Sequence, residues 1–193
     1  PKPSSAASDV YKRQCISLIL ILFATTGINA QETLTLEPKP VLTISGTSSL
    51  HDWEMTSNTA TAKLVAVKEG AKLDKINTLT VEMPAESIKS GKSGMDKNAY
   101  KALDTKQNKT VKFDLKQATK TANGWNLKGN FTIAGVTKEV TIPVKETATG
   151  GKNTLSGEYS FKLTEYKITP PTALMGTVKT GDAVKISFTI SFK

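Results

Sequence analysis

Gly129-Asn-Phe-Thr-Ile-Ala-Gly-Val-Thr-Lys-Glu-Val-Thr-Ile-Pro-Val144 consists of two alternating runs folded about a glycine turn, and its reading decides the fold. Successive side chains of a strand point to opposite faces. Phe131 and Ile133 therefore share one face of the first arm, and Val140, Ile142 and Val144 share one face of the second. Thr132, Lys138, Glu139, Thr141 and Lys145 are expected on the other face. The stretch predicts a β-hairpin with one apolar and one wet side. A chain built from such units binds something more readily than it transforms it.

The same period of two runs outward in both directions. Leu79, Val81 and Met83 alternate with Thr80 and Glu82, and Val111, Phe113 and Leu115 with Lys112, Asp114 and Lys116. Trp125 and Leu127 extend the stripe of Phe131 backwards. Leu155, Gly157, Tyr159, Phe161 and Leu163 form another stripe, and Val184, Ile186, Phe188, Ile190 and Phe192 the last. From Trp53 to Val67 the phase switches, which reads as a bulge or bend in one long strand. Leu42 and Ile44 suggest a shorter first strand. One segment breaks the period: Met95, Ala99 and Leu103 stand at i, i+4 and i+8, one face of a short helix over about 95–103, with Ser93 or Asp96 as its cap. Pro170-Pro171 marks a loop. About eight strands with one apolar face each must bury that face in a sandwich or a closed barrel. Closure also removes aggregation-prone edges, and the expected fold is an all-β, extended antiparallel barrel of lipocalin type.

At 193 residues the chain suits two segments, an N-terminal address over 1–30 and a single barrel domain over 31–193. Lys12 and Arg13, the apolar run Ile16 to Ala24 and the small-residue exit Ile28-Asn29-Ala30 read as a signal peptide cleaved after Ala30, so a periplasmic or secreted location is expected. Removing that segment removes Cys15, the only cysteine, and with it any disulfide, thiol nucleophile or thiolate metal site. It also removes Lys2, Lys12 and Arg13 against Asp9, lowering the net charge from +9 to +7. The remaining excess is all lysine. Specific nucleic-acid readers lean on the arginine fork, so no nucleic-acid partner is expected, whereas attraction to an anionic envelope surface is compatible with the charge.

Catalytic chemistry finds little support. His51 is the only histidine and has no Gly-x-Ser-x-Gly elbow to serve; its place beside Asp52 and Trp53 suits a turn or a mouth. One histidine without cysteine makes a poor zinc site, and no paired carboxylates stand out. Gly91-Lys-Ser-Gly94 and Gly150-Gly151 lack phosphate-loop spacing and read as turns. An outer-membrane barrel would need an apolar lipid-facing side with aromatic girdles, and such girdles are not seen in the sequence. No enzyme activity and no cofactor are expected.

The Phe131-Thr-Ile-x-Gly-Val-Thr-Lys138 core resembles the hairpin of the YceI-like family of secreted lipid-binding proteins. Val81-Glu-Met-Pro-Ala-Glu-Ser-Ile88, Lys109-Thr-Val-Lys-Phe113 and Gly181-Asp-Ala-Val-Lys-Ile186 are similar to its further motifs, in the right order, and Gly46-Thr-Ser-Ser-Leu-His-Asp-Trp53 to a variant opening. The resemblance spans about Leu42 to Lys193. Ala134 and Asn108-Lys109 depart from the family's common residues. The resemblance implies a barrel that holds a long isoprenoid or other amphiphilic lipid. Trp53, Met55, Val81, Met83, Phe113, Trp125, Phe131, Tyr159, Phe161 and Phe188 are the candidate ligand-binding residues, large apolar groups on the inner phase of the strands. The alternative is a structural or interaction module whose same residues pack a filled core.

Overall fold

Two residues make the deciding turn. Ala134 and Gly135 have φ of 49° and 75°, the left-handed pair of a two-residue type I′ turn whose twist matches that of its flanking strands. The register then pairs Ile133 with Val136, Leu127 with Ile142 and Trp125 with Val144. Lys138 pairs with Phe131, so it lies on the inner phase and not on the outer face expected of it. Its ammonium reaches part-exposed surface, where it stands over the Tyr166 ring, 5.5 Å from the centroid, and 4.0 Å from the Glu165 carboxylate.

This computed structural model describes residues 30–193; the signal-peptide reading falls on residues that lie outside the described ones but for Ala30. Gln31–Lys193 is one compact unit. Its strands are β1 (Gln31–Thr35), β2 (Val41–Ser48), β3 (Trp53–Ser57), β4 (Thr61–Glu69), β5 (Lys72–Pro84), β6 (Thr110–Thr121), β7 (Gly124–Ile133), β8 (Val136–Thr149), β9 (Lys152–Lys162), the two-residue β10 (Thr172–Ala173) and β11 (Val178–Phe192). Helix α1 (Ser93–Leu103) lies between β5 and β6. The strands form one antiparallel sheet in the order β1-β4-β5-β6-β7-β8-β9-β11-β2-β3, with β10 on β11. It is an all-β, strongly curled sheet of lipocalin-like barrel type. The strand count exceeds eight partly because the phase switch after Trp53 is a break between β3 and β4, which pair with different neighbours.

Both edges of the path are covered. Beyond β1, Thr35 and Lys193 exchange backbone hydrogen bonds of 2.8 and 3.0 Å, and Glu37 N–H donates to Ser191 at 2.8 Å. Beyond β3, Thr56 and Lys89 exchange bonds of 2.8 and 2.9 Å, and the Ser57 and Ser87 hydroxyls meet at 2.7 Å. Exposed ladder groups that would template another chain are thereby occupied. The outer face carries ion pairs such as Glu139 with Lys116 and Lys128, at 2.9 and 2.8 Å, and these two cations hold the Glu139 carboxyl down at about 2.

One end of the barrel is stapled by a carboxylate. Glu146 Oε1 accepts from the Leu73 N–H at 2.8 Å and from Asn153 Nδ2 at 3.2 Å, and Oε2 accepts from Trp125 Nε1 at 2.8 Å. Asn153, fully buried, also donates to the Ala71 carbonyl at 2.9 Å. Four strands, β5, β7, β8 and β9, thus meet on one acidic side chain and its amide partner. Among the described residues no buried side-chain nitrogen or oxygen lacks a partner. Glu146→Ala strips the acceptor from three donors at once, and urea unfolding is expected to show a loss of about 3 kcal/mol, with Glu146→Gln losing less.

Candidate functional site

Inside the curled sheet lies an apolar cavity of about 510 Å³. The β2–β3 hairpin contributes Ile44, Trp53 and Met55, β5 contributes Met83, and β11 contributes Val184 and Ile186. Val111 of β6, Ile133 of β7 and Phe161 of β9 add to the wall, and the roof comes from outside the sheet: Ile88, the helix residues Met95, Ala99, Ala102 and Leu103, and Leu163, Ile168 and Leu174 of the segment after β9. A second cavity of about 100 Å³ lies wholly among strand residues. Ile44, Met83, Val111 and Ile186 line both, so they stand as a neck where the two spaces adjoin.

The helix is a fixed lid. Its apolar face is the expected one, but its cap is not: Lys92 holds the N-cap position without a side-chain bond. Asp96 instead reaches back to the preceding loop, accepting from Ser90 N–H at 2.8 Å and Ser90 Oγ at 2.7 Å. Those bonds keep its carboxyl below the usual range. The Tyr100 hydroxyl sits 2.9 and 2.8 Å from the Glu86 and Ile88 carbonyls and accepts from Lys89 Nζ at 2.6 Å, which raises the Lys89 ammonium. After the helix, Thr105 donates to Glu86 Oε1 at 2.8 Å. The segment that follows β5 is therefore tied to α1 along its length. On the opposite side Asp182 accepts from Thr164 N–H and Oγ1 at 2.9 and 2.7 Å, which lowers its carboxyl and pins the turn carrying Leu163.

Large rings sit against the wall rather than across the lumen. The Trp53 indole lies over Gly46, where a Cβ would meet Cζ2 at 2.4 Å, and its Nε1 donates to the Thr47 carbonyl at 2.8 Å. Phe188 lies over Gly157 and Phe113 over Gly129 in the same manner. Phe131, Tyr159, Phe161 and Tyr166 form a ring cluster with centroids 5.0 to 5.9 Å apart, a spacing that favours edge-to-face contact. Within it the Tyr159 and Tyr166 hydroxyls meet at 2.9 Å, and burial pushes the Tyr166 hydroxyl far above its ordinary value.

The sequence-expected residues divide between the two spaces. Trp53, Met55, Met83 and Phe161 line the larger cavity. Val81, Met83 again, Phe113, Phe131, Tyr159 and Phe188 line the smaller. Trp125 lines neither, being buried beside Glu146. The residues that sequence reading missed are those of Ile88, Ile168 and Leu174, single apolar groups in irregular segments where no period marks them, and the helix face, whose period was visible but whose destination was not. His51 stands at the mouth, exposed, with Nδ1 at 2.6 Å from the Asp52 carbonyl. No aspartate or glutamate lines either cavity among the described residues, and no group of three metal-ligating side chains occurs there. The site offers burial of a chain of carbon atoms, with Ser48, His51, Lys92, Asn98, Thr172 and Thr180 as its polar rim.

A family model described as a YceI-like domain matches residues 42–192. No curated protein matches the chain in sequence. Among solved structures, Burkholderia cenocepacia BcnA is 20% identical with a TM-score of 0.63, covering 78% of this chain and 95% of its own. A polyisoprenoid binding domain from Saccharophagus degradans, implicated in plant cell wall breakdown, is 8% identical with a TM-score of 0.61, covering 83% and 97%. The Campylobacter jejuni YCEI protein is 16% identical with a TM-score of 0.53, covering 69% and 82%. At these identities the likeness is one of fold.

Filling the larger cavity from the helix tests its use directly. Ala99→Phe is expected to lower uptake of a solvent-sensitive apolar dye by about tenfold or more while the thermal unfolding midpoint stays close to that of the parent chain; fluorescence titration and a melting curve read the two quantities.

Proposed function

The chain belongs to the YceI-like domain family, and on that premise we propose that it is a binding protein holding an isoprenoid or other amphiphilic lipid in its barrel. The observation that carries the reading is the 510 Å³ apolar cavity roofed by α1, with a second apolar space adjoining it at Ile44, Met83, Val111 and Ile186. Small-molecule sites are typically about 300–1,000 Å³, so the larger cavity takes an amphiphile of ordinary size and the neck gives a longer tail somewhere to go. Each buried CH₂ contributes about 0.8 kcal/mol, which makes tight binding attainable with few polar contacts. The polar rim at the mouth receives the head and the strand-lined end receives the tail. The name of the Saccharophagus degradans domain supports the isoprenoid class. A filled interaction module is the competing reading, and two lined cavities favour the carrier over it.

The reading is of binding and not of catalysis. The apolar site lined by no carboxylate supports it, as does the position of His51, whose Nδ1 faces a backbone carbonyl rather than a nucleophile. We further propose that the domain works outside the cytoplasm, where its lysine excess meets anionic envelope surfaces.

Organic extraction of the purified protein followed by mass spectrometry is expected to release a long-chain prenol, quinone or fatty amphiphile, and lipid-free protein is expected to take up added geranylgeraniol with quenching of tryptophan emission at Trp53. Protein that yields no lipid and takes up none refutes the carrier. For the location, N-terminal sequencing of the protein recovered from the cell envelope is expected to start at Gln31; recovery with residues 1–30 intact from the cytosol contradicts it.

A further inference from the structure

The large apolar residues that most expose themselves lie at the mouth of the larger cavity. Leu50 is 67% exposed, Leu174 72% and Met175 109%, and Leu50 and Leu174 also line the cavity. β10 pairs Thr172 with Lys179 and Ala173 with Val178, so Leu174 and Met175 sit at the tip of a small hairpin. Both take left-handed φ, 49° and 55°. Two consecutive non-glycine residues in that region are costly, and such strain concentrates at functional segments. The hairpin is fastened to the loop that carries Leu50: Ser49 N–H donates to the Lys179 carbonyl at 2.9 Å and Lys179 N–H to Ser49 Oγ at 3.0 Å. The rim is thus one braced structure that holds apolar side chains out in water.

Charge accompanies the apolar tips. The segments that supply the rim, 48–52, 88–96 and 167–180, carry Lys89, Lys92, Lys167 and Lys179 against Asp52 and Asp96, and the Asp96 carboxylate is taken up by Ser90. Lys92 itself lines the cavity. Apolar tips on segments that also carry an excess of lysine suit the boundary of an anionic leaflet, the tips in the acyl region and the ammoniums among the phosphates.

We infer that this rim is the face by which the protein docks on an anionic lipid leaflet, placing the cavity mouth against the bilayer. The inference rests on the reading that the cavity takes a lipid. In the docked position Leu50 and Leu174 make a continuous apolar path, and a tail passes between leaflet and lumen without crossing water.

Vesicle flotation with the full chain tests the face. The parent protein is expected to float with vesicles of equal parts phosphatidylglycerol and phosphatidylcholine, less at high salt, and to stay behind with phosphatidylcholine alone. Met175→Asn, which suits a left-handed backbone, and the pair Lys167→Gln with Lys179→Gln change no residue that lines the cavity. Each is expected to weaken flotation by about tenfold while geranylgeraniol uptake stays at the parent level. Flotation that ignores both changes, or that is equal on phosphatidylcholine alone, overturns the docking face. Parent-like flotation with no prenol uptake by any form overturns the lipid-cavity reading instead.

Discussion

A curled sheet keeps an open lumen only if its large side chains are held against its wall, and glycines opposite or beside aromatic residues provide that here. Gly46 under Trp53, Gly157 under Phe188 and Gly129 under Phe113 each leave the depth of a missing side chain for a ring to occupy. A methyl group at Gly46 would meet the indole itself, and at Gly129 or Gly157 it would meet both the ring and a carbonyl of the neighbouring strand, so none of the three rings could keep its place against the wall. Interiors otherwise pack to crystal density, so a cavity of this size persists only where wall geometry prevents collapse. The small Ala99 and Ala102 of α1 serve the same end from the roof.

The two ends of the barrel are built from different chemistry. At one, Glu146, Asn153 and Trp125 join four strands by hydrogen bonds around a buried polar cluster. At the other, α1 and the segment after β9 close over apolar space, fixed by Tyr100, Asp96 and Asp182 through bonds to backbone and hydroxyl groups. Polar stapling confers rigidity at a modest net gain per bond, while the apolar end leaves surface to be covered by a ligand. The ring cluster of Phe131, Tyr159, Phe161 and Tyr166 lies between, its hydroxyls paired to each other so that no polar atom there is left unsatisfied.

Strand phase was legible because the side-chain period of two survives in β5 to β9 and β11, and the Ala134-Gly135 turn gave the hairpin its register. Where phase failed, so did the reading. Lys138 looked like an outer-face residue because lysine is rarely on an inner stripe, yet its register position pairs with Phe131, and its ammonium, part-exposed, is met by the Tyr166 ring and the Glu165 carboxylate. Trp125 shared the inner stripe of Phe131 but serves the polar staple, since alternation reports the face of a residue and not its height along the barrel. Glu146 was invisible for the complementary reason: a lone carboxylate in an even phase gives no sign that three donors converge on it. The helix face was readable from Met95, Ala99 and Leu103, while its role as roof depends on contacts with residues 85–90 that no local pattern encodes.

The central claim is that an amphiphile enters tail first and that its tail reaches the neck. A crystal soaked with a terminally brominated long-chain alcohol tests this most directly, because the anomalous signal of bromine marks the position of the chain end. The account predicts a peak among Ile44, Met83, Val111 and Ile186; a peak at the outer face of the sheet, or none inside the barrel at full soak, contradicts it.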